Sequence, residues 1–348
     1  MRRTLFNVQF LRLIAASSIL FTHAAGLVFP DSAMVANVPW VAGVDVFFVI
    51  SGFIMTWMTD GQFGSRAASK NFLMRRVIRI APPYWFFTLL TAAAVIVAGG
   101  RIKNVTADPL QILTSLTFVP WPRIDGELLP IVPQGWTLNY EAFFYLAFAL
   151  CMCFRRGLAL LVVLFTILAL SSPLIPGRWF VFRFFADPII LEFVAGIALA
   201  RLYMSGIRLR PVFSLVMLAV ALAYFLGMPA FHGAYYRPLQ YGIPATLLAA
   251  AFILGPEPER IGRLGRAVVA GGDSSYTLYL SHKLTVAVAL LACAYAGLTS
   301  KAFMLGLAIS ASLAFAFCFY RYLEAPTVAA LGNRFRLRGT AVAAAVAP

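Results

Sequence analysis

Charge is scarce in this chain. Only 12% of its 348 residues are Asp, Glu, Lys or Arg, with 13 acidic against 28 basic. A soluble globular domain carries about a quarter charged residues, so a globule surrounded by water is excluded. Cysteine is scarce too. Cys151, Cys153, Cys293 and Cys318 each lie in or beside an apolar run, which implies packing and no disulfide framework. The three histidines, His23, His232 and His282, show no metal-ligand spacing with the cysteines, so no metal is expected. What remains is hydrophobic: 61% apolar residues and a mean hydropathy of +0.86. The net charge of +15 invites a nucleic-acid reading, but the basic residues form short clusters between apolar runs, as the positive-inside rule places them. No nucleic-acid partner is expected. The partner that the composition implies is a lipid bilayer.

The apolar runs predict an all-α fold, a polytopic transmembrane helical bundle of about ten spans. Their expected boundaries are 6–28, 38–58, 81–99, 136–153, 158–174, 184–203, 212–228, 239–255, 274–297 and 302–323. The first run follows a short basic segment, but it is too long for a signal peptide and lacks a small-residue cleavage site, so it reads as a retained span. With the N-terminus inside, nineteen of the 28 Lys and Arg residues fall on the cytoplasmic side, from Arg2 and Arg3 to Arg336 and Arg338. Seven fall outside (Arg101, Lys103, Arg123, Arg178, Arg183, Arg237 and Lys301), and Arg12 and Lys283 lie within spans. This bias places both termini in the cytoplasm. The longest outer loop, about 100–135, holds Pro109, Pro120, Pro122, Pro130 and Pro133. It is too proline-rich for a long helix and reads as a lid or acceptor platform. Residues 1–326 make one transmembrane domain, and 327–348 a short basic cytoplasmic tail expected to be disordered over 339–348.

Ionisable groups inside a membrane are expensive and default to a functional hypothesis. Arg12 and His23 are eleven residues apart in the first span, so they share a helical face and stand about 16 Å apart along it. Asp45 in the second span and Glu141 in the fourth both fall in the outer part of inward-running helices. With His23 they are expected to share a depth. A neutral imidazole accepts a proton at physiological pH, and a carboxylate on its other nitrogen would fix the tautomer; either Glu141 or Asp45 suits that role. Arg76 and Arg79, beside Arg75, share a face three residues apart at the inner edge of the third span. Such guanidinium forks suit polyanionic phosphates, and Arg12 strengthens that reading because topology anchors belong outside a span. Pro82 and Pro83 predict a break or a fresh helix start just after them. In the ninth span His282 is either catalytic or structural, and Lys283 needs a partner, for which Glu192 in the sixth span is a candidate. His232 lies in an outer loop and is incidental. The same intramembrane groups would also suit a proton-coupled transporter, but no inverted repeat or matched pair of broken helices accompanies them.

Six segments together resemble the acyltransferase-3 family. They are QFLRLIAASSILFTHA with Arg12 and His23, GVDVFFVISGFIM with Asp45, RRVIRIAPPYW with Arg76 and Arg79, WTLNYEAFFYL with Glu141, SYTLYLSH with His282, and YRYLEAP with Glu324. The resemblance runs from about residue 6 to 326 and is strongest to the exopolysaccharide acetyltransferase branch. It implies acetyl-CoA, or a related acyl-CoA, as cytoplasmic donor. The reaction it implies is O-acylation of an extracytoplasmic glycan, such as exopolysaccharide or its lipid-linked precursor, by an enzyme of the bacterial inner membrane. Arg12, Arg76 and Arg79 would line the donor path and His23 the reaction centre. Ala142 stands where relatives more often carry a second acidic residue after the glutamate, which tells against a carboxylate pair there.

Overall fold

A computed structural model describes residues 5–32, 42–97, 108–227 and 237–335. His232, the outer-loop cations Arg101 and Lys103, residues 38–41 of the second expected span and the tail beyond 335 lie outside the described residues. All regular structure among the described residues is helical, as a bilayer demands of a chain that must satisfy its backbone internally.

The helices are α1 (Phe6–Val28), α2 (Gly43–Met58), α3 (Arg66–Val97), α4 (Pro109–Leu116), α5 (Trp136–Met152), α6 (Gly157–Ser171) and α7 (Phe180–Phe185). They continue with α8 (Leu191–Met204), α9 (Pro211–Gly227), α10 (Ile243–Ile253), α11 (Arg263–Asp273), α12 (Ser275–Tyr295), α13 (Lys301–Phe319) and α14 (Ala325–Arg334). Single π-helical turns, Pro238–Gly242 and Tyr320–Glu324, lead into α10 and α14. Five helical stretches are long and apolar enough to cross a membrane: Phe6–Val28, Arg66–Val97, Gly157–Leu174, Ser275–Tyr295 and Lys301–Arg334. The other apolar helices are shorter. The 14 residues of α8 cover about 21 Å, less than a hydrocarbon core of about 30 Å.

Two of the expected boundaries are corrected. The third span does not begin at 81: α3 runs unbroken from Arg66 through Pro82 and Pro83 to Val97. The prolines cost it the hydrogen bonds to the carbonyls of Ile78 and Arg79. Tyr84 and Phe87, 0% and 1% exposed, fix the next turn by packing, and a membrane-type helix tolerates the loss where neighbours support it. The sixth span does not begin at 184 either. Residues 184–190 finish α7 and form a turn at Pro188–Ile190, so that α8 starts at Leu191. The helix α11, too polar for the hydropathy argument, is additional.

The chain divides into two compact units. One comprises the described residues to Met58 and Leu191–Pro326, and the other Thr59–Ile190 with the segment after Pro326. In the first unit α2 and α8 run parallel, with Phe48 on Phe193 (4.7 Å) and Phe53 on Tyr203 (5.5 Å). Gly52 and Gly196 allow this approach. A Cβ on Gly52 would stand 2.1 Å from the Phe193 carbonyl oxygen, and one on Gly196 2.0 Å from that of Val49. Small residues let membrane helices meet backbone to backbone in this way. An apolar core of Leu11, Val49, Phe53 and Ala249 joins α1, α2 and α10, and a second of Leu20, Leu278 and Ala308 joins α1, α12 and α13. In the second unit Phe72, Phe144, Phe148 and Phe165 join α3, α5 and α6.

Helix directions follow the alternation that successive spans require. The first and second expected spans are antiparallel, with Gly43 against Ala15, Ser18 and Ile19 and Leu5 and Trp57 lining one cavity. The second and sixth, an even number of spans apart in the expected order, are parallel. The ninth and tenth are antiparallel, with Thr285 bonded to Ser312 (2.7 Å) and Thr277 to Glu324.

The N-terminus of α1 is capped from a distance. Its N-cap Leu5 offers no side-chain acceptor, and the Glu257 carboxylate instead accepts from the backbone N–H groups of Phe6 (3.1 Å) and Asn7 (3.2 Å). A negative charge there also meets the positive end of the helix dipole. Glu257→Ala is therefore expected to destabilise the protein by about 1–2 kcal/mol, read as a lower melting temperature. Equal melting of variant and wild type would deny the cap a role.

Candidate functional site

The two histidines within helices meet. His23 from α1 and His282 from α12 stack with ring centroids 5.0 Å apart and planes 26° apart. Parallel packing of the two helices makes this possible, and Leu20 and Leu278 share a core about one turn toward the N-terminal ends. His282 is 1% exposed, whereas His23 is half-buried. The Nδ1 of His282 lies 2.7 Å from the carbonyl oxygen of Tyr279, and Lys283 acts electrostatically on both rings.

Asp45 does not share His23's depth. Its helix starts against the middle of α1, at Ala15–Ile19, so Asp45 stands about 10 Å along the α1 axis from His23. The expectation inferred depth from each residue's place along its own helix, whereas the stagger of α2 on α1 is set by packing. Asp45 is wholly buried, and its Oδ2 accepts from Arg237 Nη2 at 2.8 Å. Glu192 lies near enough to act on it electrostatically. Glu192, the candidate partner for Lys283, thus lies with Asp45, its Oε1 2.9 Å from the place of a Cβ on Gly242. Arg237 had been read only as an outer-loop cation. It caps the π-helical turn Pro238–Gly242, and nothing local in the sequence ties it to a residue 192 positions away.

Arg12 is half-buried, its Nη1 3.5 Å from Gln9 Oε1, while Gln9 Nε2 donates to Asp273 Oδ1 at 2.8 Å. Gln9 and Asp273 went unnoticed in the sequence because α11 was not foreseen. Glu324, from the YRYLEAP segment, is buried and accepts from Thr277, which ties the end of α13 to the start of α12.

In the second unit, Glu141 accepts from Tyr145 one turn further along α5. The Arg76 guanidinium lies 5.9 Å from the ring centroids of both Phe72 and Tyr145. Arg75 and Arg76 each bury an Nε–H that has no hydrogen-bond partner among the described residues, whereas Arg79 is engaged. Buried donors are nearly always paired. Each of these open guanidinium donors can take an oxygen of an incoming polyanion.

The arginines of the second unit can bind an anion, and the imidazole pair of the first can move a proton. A model of the acyltransferase domain family matches residues 5–323. The chain belongs to the acyltransferase-3 family. This acyltransferase is 34% identical over 297 residues to the Exopolysaccharide production protein ExoZ of Rhizobium meliloti (strain 1021), covering 82% of this chain and 88% of that protein. It is 31% identical over 163 residues to Nodulation protein 10 of Rhizobium leguminosarum bv. viciae, covering 40% and 42%. It is 26% identical over 273 residues to Acyltransferase MdmB of Streptomyces mycarofaciens, covering 70% and 67%. No solved structure matches the chain. The likeness to an exopolysaccharide branch read from the motifs is borne out, and the family decides for an enzyme over a transporter. The acyltransferase is an integral membrane protein.

Proposed function

We propose that this acyltransferase moves an acyl group, acetyl above all, from cytoplasmic acyl-CoA to a hydroxyl of an extracytoplasmic glycan such as exopolysaccharide or its lipid-linked precursor. It does so in the cytoplasmic membrane of a bacterium, through about ten spans with both termini inside. The observation that carries this reading is the stacked His23–His282 pair within the helical body, with His23 on the same helix as Arg12. The exopolysaccharide relative supplies the substrate class.

In this reading arginines hold the phosphates of CoA: Arg76 and Arg79 in the second unit, where the open Nε–H groups of Arg75 and Arg76 support that role, and Arg12 in the first. The pantetheine arm spans the distance from Arg12 to His23, about 16 Å along α1. His23 takes the proton of the acceptor hydroxyl as general base, and the hydroxyl oxygen attacks the thioester carbonyl. Glu141 acts on the acid–base side of the reaction. Asp45, held by Arg237, fixes the helix packing beneath the imidazoles.

The test is transfer of labelled acetyl from acetyl-CoA to glycan in membranes. His23→Ala is expected to lower the rate by about 10²–10⁴-fold with saturation by acetyl-CoA unchanged. Arg12→Ala is expected to raise the acetyl-CoA concentration needed for half-saturation. Normal turnover by His23→Ala would sink the base assignment.

A further inference from the structure

The surrounding structure fixes the state of one ring of the imidazole pair, that of His282. The Tyr279 carbonyl 2.7 Å from His282 Nδ1 can only accept a hydrogen bond, so Nδ1 carries the hydrogen. In the neutral ring Nε2 then holds the lone pair. That atom is buried and has no hydrogen-bond partner among the described residues. A locked tautomer with an open, dry lone pair is what a nucleophile requires, and a purely packing histidine would turn that nitrogen toward a donor.

The two rings differ in who can reach them. His282 is 1% exposed, so a group bound to it must be small, as a two-carbon acyl group on a thin pantetheine arm is. Half-buried His23 presents the edge that a bulky alcohol can meet. The thiol on the same helix, Cys293, is eleven residues away, about 16 Å along the axis, and takes no part.

We propose that His282 Nε2 is a nucleophile that carries the acyl group between donor and acceptor, with His23 serving as base only for the second half of the reaction. This rests on the acyltransferase reading above and divides its single step in two. In the first half Nε2 attacks the thioester carbonyl. A C–N bond forms, the C–S bond breaks, and the thiolate leaves with the bonding pair and takes a proton from solvent. The resulting acyl-imidazolium keeps its Nδ1–H on the Tyr279 carbonyl, which stabilises the positive ring. In the second half the acceptor hydroxyl gives its proton to His23 and its oxygen attacks the acyl carbon. The C–O bond forms, the C–N bond breaks with its pair returning to Nε2, and His23 releases the proton to solvent. The sum is thioester plus alcohol to ester plus thiol.

The experiment uses the full chain in lipid nanodiscs, mixed with acetyl-labelled acetyl-CoA without acceptor, quenched on the seconds scale and mapped by mass spectrometry. A burst of free CoA and one acetyl group on the peptide bearing His282 are expected. His23→Gln should retain more of this label, because loss of the base slows the second half by about 10²–10⁴-fold. His282→Asn keeps a donor for the Tyr279 carbonyl but lacks Nε2. It should melt like wild type yet show neither label nor transfer. Acetyl transfer to glycan by wild type, with no label in wild type or His23→Gln, would overturn the intermediate and leave the acyltransferase reading standing. Label on any other residue would overturn it too. Absence of all transfer from acetyl-CoA would bring down the donor assignment itself, and this proposal with it.

Discussion

Gly196→Leu is expected to abolish the fold of the first unit. A Cβ there meets the Val49 carbonyl oxygen at 2.0 Å and the Phe53 nitrogen at 2.8 Å. Both are backbone atoms of α2 and cannot rotate away, so the helices must part. Parting them opens the Phe48–Phe193 contact and draws Glu192 from Asp45. Overfilling a core with side chains usually costs about 1–3 kcal/mol. A clash of backbone on backbone belongs to the exceptional class above about 4 kcal/mol. A fluorescent fusion followed by size-exclusion chromatography should show loss of the monodisperse peak. Gly306→Leu is the control, since nothing lies within 4 Å of a Cβ at that helical position. Identical elution and melting of the two variants would show that α2 and α8 do not pack this tightly.

The second large effect belongs to Arg237→Met. Asp45 is 0% exposed and receives Arg237 Nη2 at 2.8 Å. Removing one partner of a buried ion pair strands the other charge and costs about 3–5 kcal/mol. The Arg237 side chain is 23% exposed, so water reaches its end of the pair and the lower figure applies. Adding Asp45→Asn to Arg237→Met removes the stranded charge and should recover more than half of the lost stability. The double-mutant cycle measures the coupling directly. If the double variant melts no higher than Arg237→Met, the pair is not what Arg237 contributes.

The segments that were legible in the sequence are those whose information is local. Hydropathy placed α1 at its described limits, because one apolar run of bilayer length has a single reading. It could not follow α3 across Pro82 and Pro83, where the local rule for proline favours a break and only the packing of Tyr84 and Phe87 overrides it. It passed over α11, whose Arg263, Arg266 and Asp273 give no apolar run although the helix lies along α1 and bonds Gln9. The candidate site divides in the same way. Arg12 and His23 declared themselves by lying inside a span. The meeting of His23 with His282 depends on which distant helices pack, and the link from Asp45 to Arg237 crosses 192 positions. No periodicity encodes either. The expectation of a shared depth for His23 and Asp45 failed for the same reason, since the stagger of α2 on α1 is tertiary.

The parallel contact of α2 with α8 has a consequence for biosynthesis. About 130 residues, the main body of the second unit, separate the two helices in the chain. At roughly 5–20 residues per second, the ribosome takes on the order of ten seconds or longer to deliver α8 after α2. Arg237 emerges later still. Throughout that interval the α2 glycine face has no partner and Asp45 has no cation. The first unit therefore assembles after translation of its last third, and until then a nascent helix with an unpaired acid must be held by lipid or by the insertion machinery. Slowing elongation between residues 59 and 190 would lengthen that exposure, and speeding it would shorten it.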